Sequence, residues 1–441
     1  MKKIVFFMEI SVSHITPVLS LIQAVLKKGH QVHCFSSERH RKLFSSLNVQ
    51  FHAYPDDFFC ADEEAEQNYN SLARELASLS VNGVEDIKDA LLPLLRVNIS
   101  RLYKHKAEEA RYLLEKVLQI TPDLIFRDAC DTLGKEIGKL LQIKTVGYIT
   151  NNMYSRSLMD AEPEKYYPYI TGTDYIKGLF TDKERHEYIE QMDRFSLVVA
   201  REKNTFPISL FHSYDPDDNH NIIFSTDFLQ PCVPVSEKYY LTLPPDPISL
   251  ALEEGNVDDE LERFVTTRSN RLVYIATGSF VAEEDDFYVN LIKAFQRTDY
   301  KLVISWNKPV AMQKEILGSL YENENLLVRS SVPQKYILKH ANLFIFHGGF
   351  NSIIEAVYHE VPMVIKPSTL EQTLNGLRIE ELGIGLTTRK MRGDGYLTTG
   401  QMIIDALENP VYKQNLQRYA QELRHSDFEE KCESLFLALG C

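Results

Sequence analysis

The run Leu343-Phe344-Ile345-Phe346-His347-Gly348-Gly349-Phe350-Asn351-Ser352-Ile353-Ile354-Glu355-Ala356-Val357-Tyr358-His359 decides the fold of this chain. Leu343–Phe346 is an apolar run of strand length, and Ile353–His359 follows with helical spacing. Between them, Gly348 and Gly349 let the backbone turn sharply and approach a ligand without a side-chain clash. Asn351 and Ser352 fall where the helix begins, placed to cap it or to donate to an anion. A helix N-terminus offers unpaired amides and the positive end of the macrodipole, a seat for phosphate. His347, at the strand end, can add a ring N–H. On its own, a Gly-Gly turn reads equally well as a plain strand-to-helix connection with an N-cap, because short glycine motifs are weakly specific.

Working outward, the same alternation continues on both sides. Leu272–Ala276, Leu302–Ser305, Leu326–Arg329, Met363–Ile365 and Gly385–Thr387 read as strands with helical patterns between them. Ligands of open parallel sheets bind at the carboxyl ends of the strands, and polar groups collect there. Thr277-Gly278-Ser279 follows one strand, Val332-Pro333-Gln334 another, and Glu371-Gln372 a third, beyond Pro367. Glu355, one turn into the helix, is a carboxylate able to grip paired ribose hydroxyls.

The first half has the same grammar. Ile4–Phe7 leads into a helical pattern from Pro17 to Lys28, closed by Gly29, and Gln31–Ser36 and Val49–Ala53 read as strands. A mostly helical stretch runs from Glu63 to Leu118. Asp123–Phe126 and Thr145–Ile149 flank a helix at Thr132–Leu141, and Ser196–Ala200 and Ile222–Phe224 close the half as strands. Pro231, Pro234, Pro244, Pro245 and Pro247 then mark a boundary, since clustered prolines disfavour helix and sheet. The expected fold class is α/β, with two Rossmann-like domains of parallel sheet and a cleft between them. The expected boundaries are 1–235, a linker at 236–258, a second domain at 259–425, and a tail at 426–441 that packs back on the first domain.

The 441 residues exceed one ordinary core. A balance of 48 Lys+Arg against 62 Asp+Glu, net −14, argues against non-specific nucleic-acid binding, which needs a basic face. Six scattered cysteines, with no C-x-x-C and no zinc spacing, read as reduced thiols of a cytoplasmic protein. The start MKKIVFFMEI has a charged head like a signal peptide's, but Glu9 interrupts its apolar run, so it reads as a first strand. No run reaches the length of a transmembrane helix. Asp215-Pro216-Asp217 fits the D-x-D pattern of metal-binding transferases. It lies in a turn-rich segment of a very acidic chain and reads as chance, so no metal is expected.

From Val332-Pro333-Gln334 through HGGFNSIIEAVYHEVPMVIKPSTLEQTLNGLRIEELGIGL, the chain resembles the donor-binding signature of family 1 glycosyltransferases, the UDP-glycosyltransferase-like enzymes that include bacterial macrolide and other natural-product glycosyltransferases. Glu360 stands where that family has glycine. SHITPVLSLIQAVLKKGHQVHCFSS and PDLIFRD are similar to first-half motifs of the family, with Ser13 in place of a glycine. The resemblance implies the GT-B architecture, with the nucleotide in the second domain and no cofactor, the nucleotide sugar being a co-substrate. It implies that Gln334 and the Val332 backbone read the base, and that His347, Gly348, Gly349, Asn351 and Ser352 hold the diphosphate with Thr277, Gly278 and Ser279 nearby. Glu355 would bind the ribose, and Glu371 and Gln372 the sugar hydroxyls. Ser331 replaces the tryptophan that stacks on uracil in plant members, which leaves UDP- and dTDP-sugars both open.

Moving a sugar to a hydroxyl needs a base to take the acceptor proton, and histidine suits this near neutral pH. His14, after the first strand and before the first helix, is the candidate. Taken alone it is merely a histidine at a helix start; the surrounding family pattern, with Pro17 three residues on, favours the base. Asp128 and Asp131 both follow Asp123–Phe126. Asp128 matches the family's catalytic aspartate and is read as the partner of His14, while Asp131 is read as a helix cap. Phe58, Phe59, Tyr148 and Tyr154 are candidates for an apolar acceptor pocket, and ordinary core packing is the alternative for each. The resulting expectation is an inverting, metal-independent transfer of a hexose from a nucleotide sugar to a small, lipophilic hydroxylated acceptor. A lipid or cell-wall glycosyltransferase, a sugar-nucleotide epimerase and a non-catalytic sugar-nucleotide-binding subunit are the alternatives.

Overall fold

The computed structural model describes residues 1–8, 11–55, 93, 96, 100, 103, 106–163, 165–166, 181–207, 214–232, 236–244, 257–266, 271–276, 285–296, 298–388, 403 and 406–441. The chain divides into two compact units, Met1–Pro244 with Asp427–Cys441, and Pro245–Ser426.

In the first unit, β1 (Lys3–Phe7) leads into α1 (Val12–Lys27), then β2 (Gln31–Ser36) and β3 (Gln50–Ala53). Next come α2 (Lys106–Ile120), β4 (Leu124–Asp128), α3 (Leu133–Leu141) and β5 (Lys144–Ile149), with β6 (His220–Ile223) and β7 (Tyr239–Leu241) at the far edge. The order is β3-β2-β1-β4-β5-β6-β7, parallel throughout. Strands covered on both faces must be apolar throughout, not alternating, and Ile4–Phe7 and Leu124–Phe126 are buried at every position. Val5, Phe7, Phe35 and Ile125 pack under Leu113 and Val117 of α2 and Leu133 and Ile137 of α3.

The second unit repeats the design. β8 (Leu272–Ala276), α4 (Asp285–Phe295), β9 (Lys301–Ser305) and β10 (Leu326–Arg329) build one half. The short helix α5 (Gln334–Leu338), β11 (Leu343–Phe346), α6 (Phe350–Tyr358), β12 (Met363–Ile365), α7 (Leu370–Glu381) and β13 (Gly385–Thr387) build the other. The order is β10-β9-β8-β11-β12-β13, again all parallel. After α8 (Pro410–Leu423), α9 (Phe428–Leu439) belongs to the first unit. Asp427 there accepts from the Thr242 hydroxyl at 2.7 Å, and Lys2 Nζ reaches the Leu439 carbonyl at 3.2 Å.

In both sheets the strand order reverses at one central pair, β1 beside β4 and β8 beside β11. Each pair carries a stacked cross-strand aromatic couple, Phe6 on Phe126 at 4.7 Å and Tyr274 on Phe344 at 4.8 Å. Crevices at such reversals are where ligands of this architecture bind.

Three local expectations need correction. Ser196–Ala200 is not a strand but the end of a helix, Asp182–Glu202, started by a capping box between Thr181 and Glu184. A short apolar run has the same composition in a strand and in a buried helix turn. Tyr239–Leu241, inside the stretch read as linker, is an edge strand of the first sheet. The first helix begins at Val12 and not at Pro17, so proline sits inside it. Pro17 is the sixth residue of the helix, past the amides that start without partners, so it leaves the Ser13 carbonyl without its i+4 amide.

Candidate active site

In the first unit, β1 and β4 end side by side, and the chain leaves β1 into α1. This places His14 within the first turn of the helix and Asp128 as the last residue of its strand, a shift from the loop positions expected for both. The His14 Nδ1 lies 2.9 Å from Asp128 Oδ2. Asp128 is fully buried, while the His14 side chain is 22% exposed, so the pair opens to solvent on the histidine side. A carboxylate can only accept, so Nδ1 carries the hydrogen and the lone pair sits on Nε2. The second oxygen of Asp128 accepts the Cys130 amide at 2.8 Å, which fixes the carboxylate.

Asp131 does something different. Its two oxygens accept the amides of Leu133 at 3.2 Å and Gly134 at 3.0 Å, closing the N-terminus of α3. Burial pushes its pKa up to about 6, against the pull of Arg127. Arg127 itself was missed at the sequence level, although an arginine inside the apolar run LIFRD was a visible signal. It is fully buried and pairs with Asp218 at 2.5 Å. It also donates to the carbonyls of Asp128 (3.0 Å), Asp131 (2.6 Å) and Pro216 (2.6 Å). The strand end that presents Asp128 is therefore held from behind. The D-x-D match serves the same neighbourhood: Asp215 accepts from the Tyr239 hydroxyl at 3.2 Å, and Asp217 pairs with Lys238 at 2.6 Å.

In the second unit, β11 runs into α6 through His347, Gly348 and Gly349. Gly348 has φ +90°, and a Cβ there would lie 2.6 Å from Ile365 Cγ2, so glycine is required. Asn375 Nδ2 donates to the Gly348 carbonyl at 3.0 Å. Gly349 is the N-cap, with no side-chain cap, and open space lies where its Cβ would be. Helix α6 starts at Phe350, so Asn351 and Ser352 lie in its first turn and do not cap it. His347 Nδ1 sits 2.9 Å from the Lys366 carbonyl and 3.1 Å from Ser368 Oγ. A carbonyl only accepts, so Nδ1 carries the hydrogen, and a second ring N–H on Nε2 exists only in the imidazolium.

Gln334, Ser352 and Glu355 come together as one cluster. The Gln334 amide donates to Ser352 Oγ at 3.0 Å and to Glu355 Oε2 at 2.7 Å, and its oxygen accepts the Tyr274 hydroxyl at 3.3 Å. Both amide hydrogens are committed, so Gln334 orients Glu355 and does not offer its NH₂ to a base. Val332 is buried just before α5. Glu371 and Gln372 lie in the first turn of α7. The Gln372 side-chain oxygen accepts the Ser368 and Thr369 amides at 2.8 and 3.2 Å as half of a capping box, which leaves its NH₂ alone for any ligand. The T-x-x-Q spacing already carried that signal.

Two acceptor-pocket candidates are core residues instead. Tyr148 is 0% exposed with its hydroxyl on the Phe7 carbonyl at 3.2 Å, and Tyr154 is 2% exposed against Tyr166 and Tyr214. Packing won because both sit on or just past a central strand of a sheet covered on both faces. Phe58, Phe59, Thr277, Gly278 and Ser279 lie outside the described residues.

Comparison with known proteins agrees with the resemblance read from the motifs. Residues 248–428 match the family model described as UDP-glucoronosyl and UDP-glucosyl transferase. The chain is similar to the uncharacterized UDP-glucosyltransferase YojK of Bacillus subtilis, 21% identical over 96% of this chain and 94% of that one. It is also similar to the NDP-glycosyltransferase YjiC of Bacillus subtilis, 25% identical over 90% and 85%. Among solved structures, the glycotransferase of kitacinnamycin superposes with a TM-score of 0.65 at 17% identity, covering 99% of this chain and 98% of that one. The fold is that of the GT-B glycosyltransferases. Among the described residues, no helix is long and apolar enough to cross a membrane.

Proposed function

We propose that this chain, a UDP-glycosyltransferase-like enzyme that uses a nucleotide sugar, transfers a hexose from a UDP- or dTDP-linked donor to a hydroxyl of a small lipophilic acceptor, with inversion and without a metal. The observation that carries this reading is the His14–Asp128 contact of 2.9 Å at the strand-order reversal of the first sheet. His14 Nε2 takes the acceptor's proton while the acceptor oxygen bonds to the sugar's anomeric carbon. The bond from that carbon to the diphosphate oxygen breaks on the opposite face, and the diphosphate departs with the electron pair. One displacement from the far side inverts the carbon. Asp128 steadies the imidazolium as it forms.

The leaving diphosphate is stabilised by the amides and dipole of α6, with Gly349 allowing close approach. An imidazolium at His347 adds a charged donor to the same group. Glu355, oriented by Gln334, takes the ribose hydroxyls, and Glu371 with the Gln372 NH₂ takes those of the hexose.

The test is a mass-spectrometric screen of UDP- and dTDP-sugars against phenols, macrolides and lipophilic alcohols. The expected result is a glycoside of inverted anomeric configuration, formed equally well in the presence of EDTA and lost in His14→Ala. Retention of configuration, or dependence on an added divalent ion, would overturn the mechanism.

A further inference from the structure

Cys130 was absorbed by neither the sequence motifs nor the transfer chemistry. It is an exposed thiol two residues after Asp128, in the turn between β4 and α3. One ligand-type atom each of His14, Asp128 and Cys130 lies within 4.8 Å of the other two. We propose that these three side chains form an inhibitory site for a borderline-soft divalent metal, zinc in the first instance.

The donor set is chemically apt. Imidazole nitrogen, carboxylate oxygen and thiolate sulfur are the three protein ligand types of zinc, at about 2.0–2.3 Å from the ion. A tetrahedral ion spaces such ligands about 3.3–3.8 Å apart, so rotation of the exposed Cys130 side chain is the main adjustment required. The approach is open on the Cys130 and His14 side, and a water or hydroxyl takes the fourth position. Asp128 is already oriented by the Cys130 amide at 2.8 Å, the kind of outer support that metal-ligating carboxylates need.

Binding is proton-coupled. Cys130 loses its thiol proton to the buffer as sulfur bonds to the ion, the ion sheds water, and no electrons move. Inhibition follows from the ring chemistry of His14. A neutral imidazole has one lone pair. If the ion takes Nε2, the base is blocked outright; if it takes Nδ1, the remaining hydrogen moves to Nε2, which can then no longer accept a proton. The binding claim stands on the cluster alone, and only the loss of activity rests on His14 as the base.

The experiment titrates zinc alone into full-length protein in competition with a chromophoric chelator, for wild type and Cys130→Ala, and follows glycoside formation in parallel. Wild type should bind one ion that Cys130→Ala binds at least about tenfold more weakly, because loss of an outer-shell contact alone costs that much. Cobalt in place of zinc should give a thiolate-to-metal absorption band that the variant lacks. In EDTA, Cys130→Ala should turn over like wild type, and it should need at least about tenfold more zinc for half inhibition. Equal zinc affinity in the two proteins, or no cobalt–thiolate band in wild type, overturns the site. Zinc bound through Cys130 with transfer undiminished overturns the inhibition, and with it His14 as the base, while leaving the metal site standing.

Discussion

The turn from β4 to α3 in the first unit and the turn from β11 to α6 in the second occupy the same place in the same topology. Both leave the strand flanking the order reversal and enter a helix. The first seats a carboxylate of its own: Asp131 accepts the Leu133 and Gly134 amides at the start of α3. The second has Gly349 at the same distance past its strand, as the N-cap of α6 and with no side-chain cap. A helix N-terminus attracts negative charge wherever it occurs. In one unit the protein supplies that charge, and the strand end is freed to hold Asp128 against His14. In the other no side chain caps the helix, and that is the seat we propose for the donor's diphosphate. On that proposal, one architecture separates proton chemistry from phosphate binding by the choice of a few residues at one turn.

The largest effect should come from the pair itself. His14→Ala should lower kcat about 10²–10⁴-fold, the range for removal of a general base, with nucleotide affinity unchanged by calorimetry. Asp128→Asn should fold and lose much of the rate, since an amide stabilises an imidazolium poorly. A phenol, which parts with its proton more easily, should suffer less from His14→Ala than an alkyl alcohol. Full activity in His14→Ala would remove the first half of the comparison.

The glycines sharpen the second half. Gly349→Ala has room and an ordinary φ of −60°, so its melting temperature should hold, while UDP or dTDP affinity falls by about 1–3 kcal/mol as charge-assisted amide contacts are pushed apart. Gly348→Ala, at φ +90° and against Ile365, should lose stability by at least about 1–3 kcal/mol. If the two variants behaved alike in calorimetry and thermal unfolding, the turn would be structural and no anion seat.

Asp131→Asn tests whether the capping carboxylate is separable from the chemistry. Asparagine caps a helix about as well as aspartate, so stability should change by less than about 1 kcal/mol while kcat changes little. A loss of rate as severe as in Asp128→Asn would exchange the roles of the two aspartates.

The smallest expected difference is in acid. Burial lowers the pKa of His30, His33 and His220 and brings those of His40 and His52 to about 4, all in the first unit. In the second unit His359 is lowered in the same way, to about 4. As pH falls from 6.5 towards 4, the unfolded chain binds protons that these folded histidines refuse, so stability falls. Asp131, raised to about 6, contributes in the opposite direction, gaining stability as pH falls from 6 towards 3.8. The first unit should therefore lose its urea resistance sooner on acidification, and Asp131→Asn should steepen the loss. Proteolysis in urea at pH 6.5 and 4.5, with fragments assigned to each unit, makes the measurement; equal losses would contradict it.

The sequence by itself determined the alternation of strand and helix and the motifs at the strand ends. Each of these is written in local terms: apolar runs of strand length, Gly-Gly before a helix, a histidine before a proline. It could also separate Asp128 from Asp131, because a cap is a relation between near neighbours along the chain. The tertiary structure decided what depends on distant partners. Tyr148 and Tyr154 are core because sheet coverage buries them, and aromatic composition cannot tell a pocket wall from a packed interior. Gln334 is bound to Glu355 across 21 positions and Arg127 to Asp218 across 91, contacts that no local pattern encodes. Cys130 became chemically interesting only when folding brought its sulfur beside His14, 116 residues away in the chain. Burial and long-range contact set which polar groups are spent on the fold and which remain for chemistry, and both exist only once the chain has closed on itself.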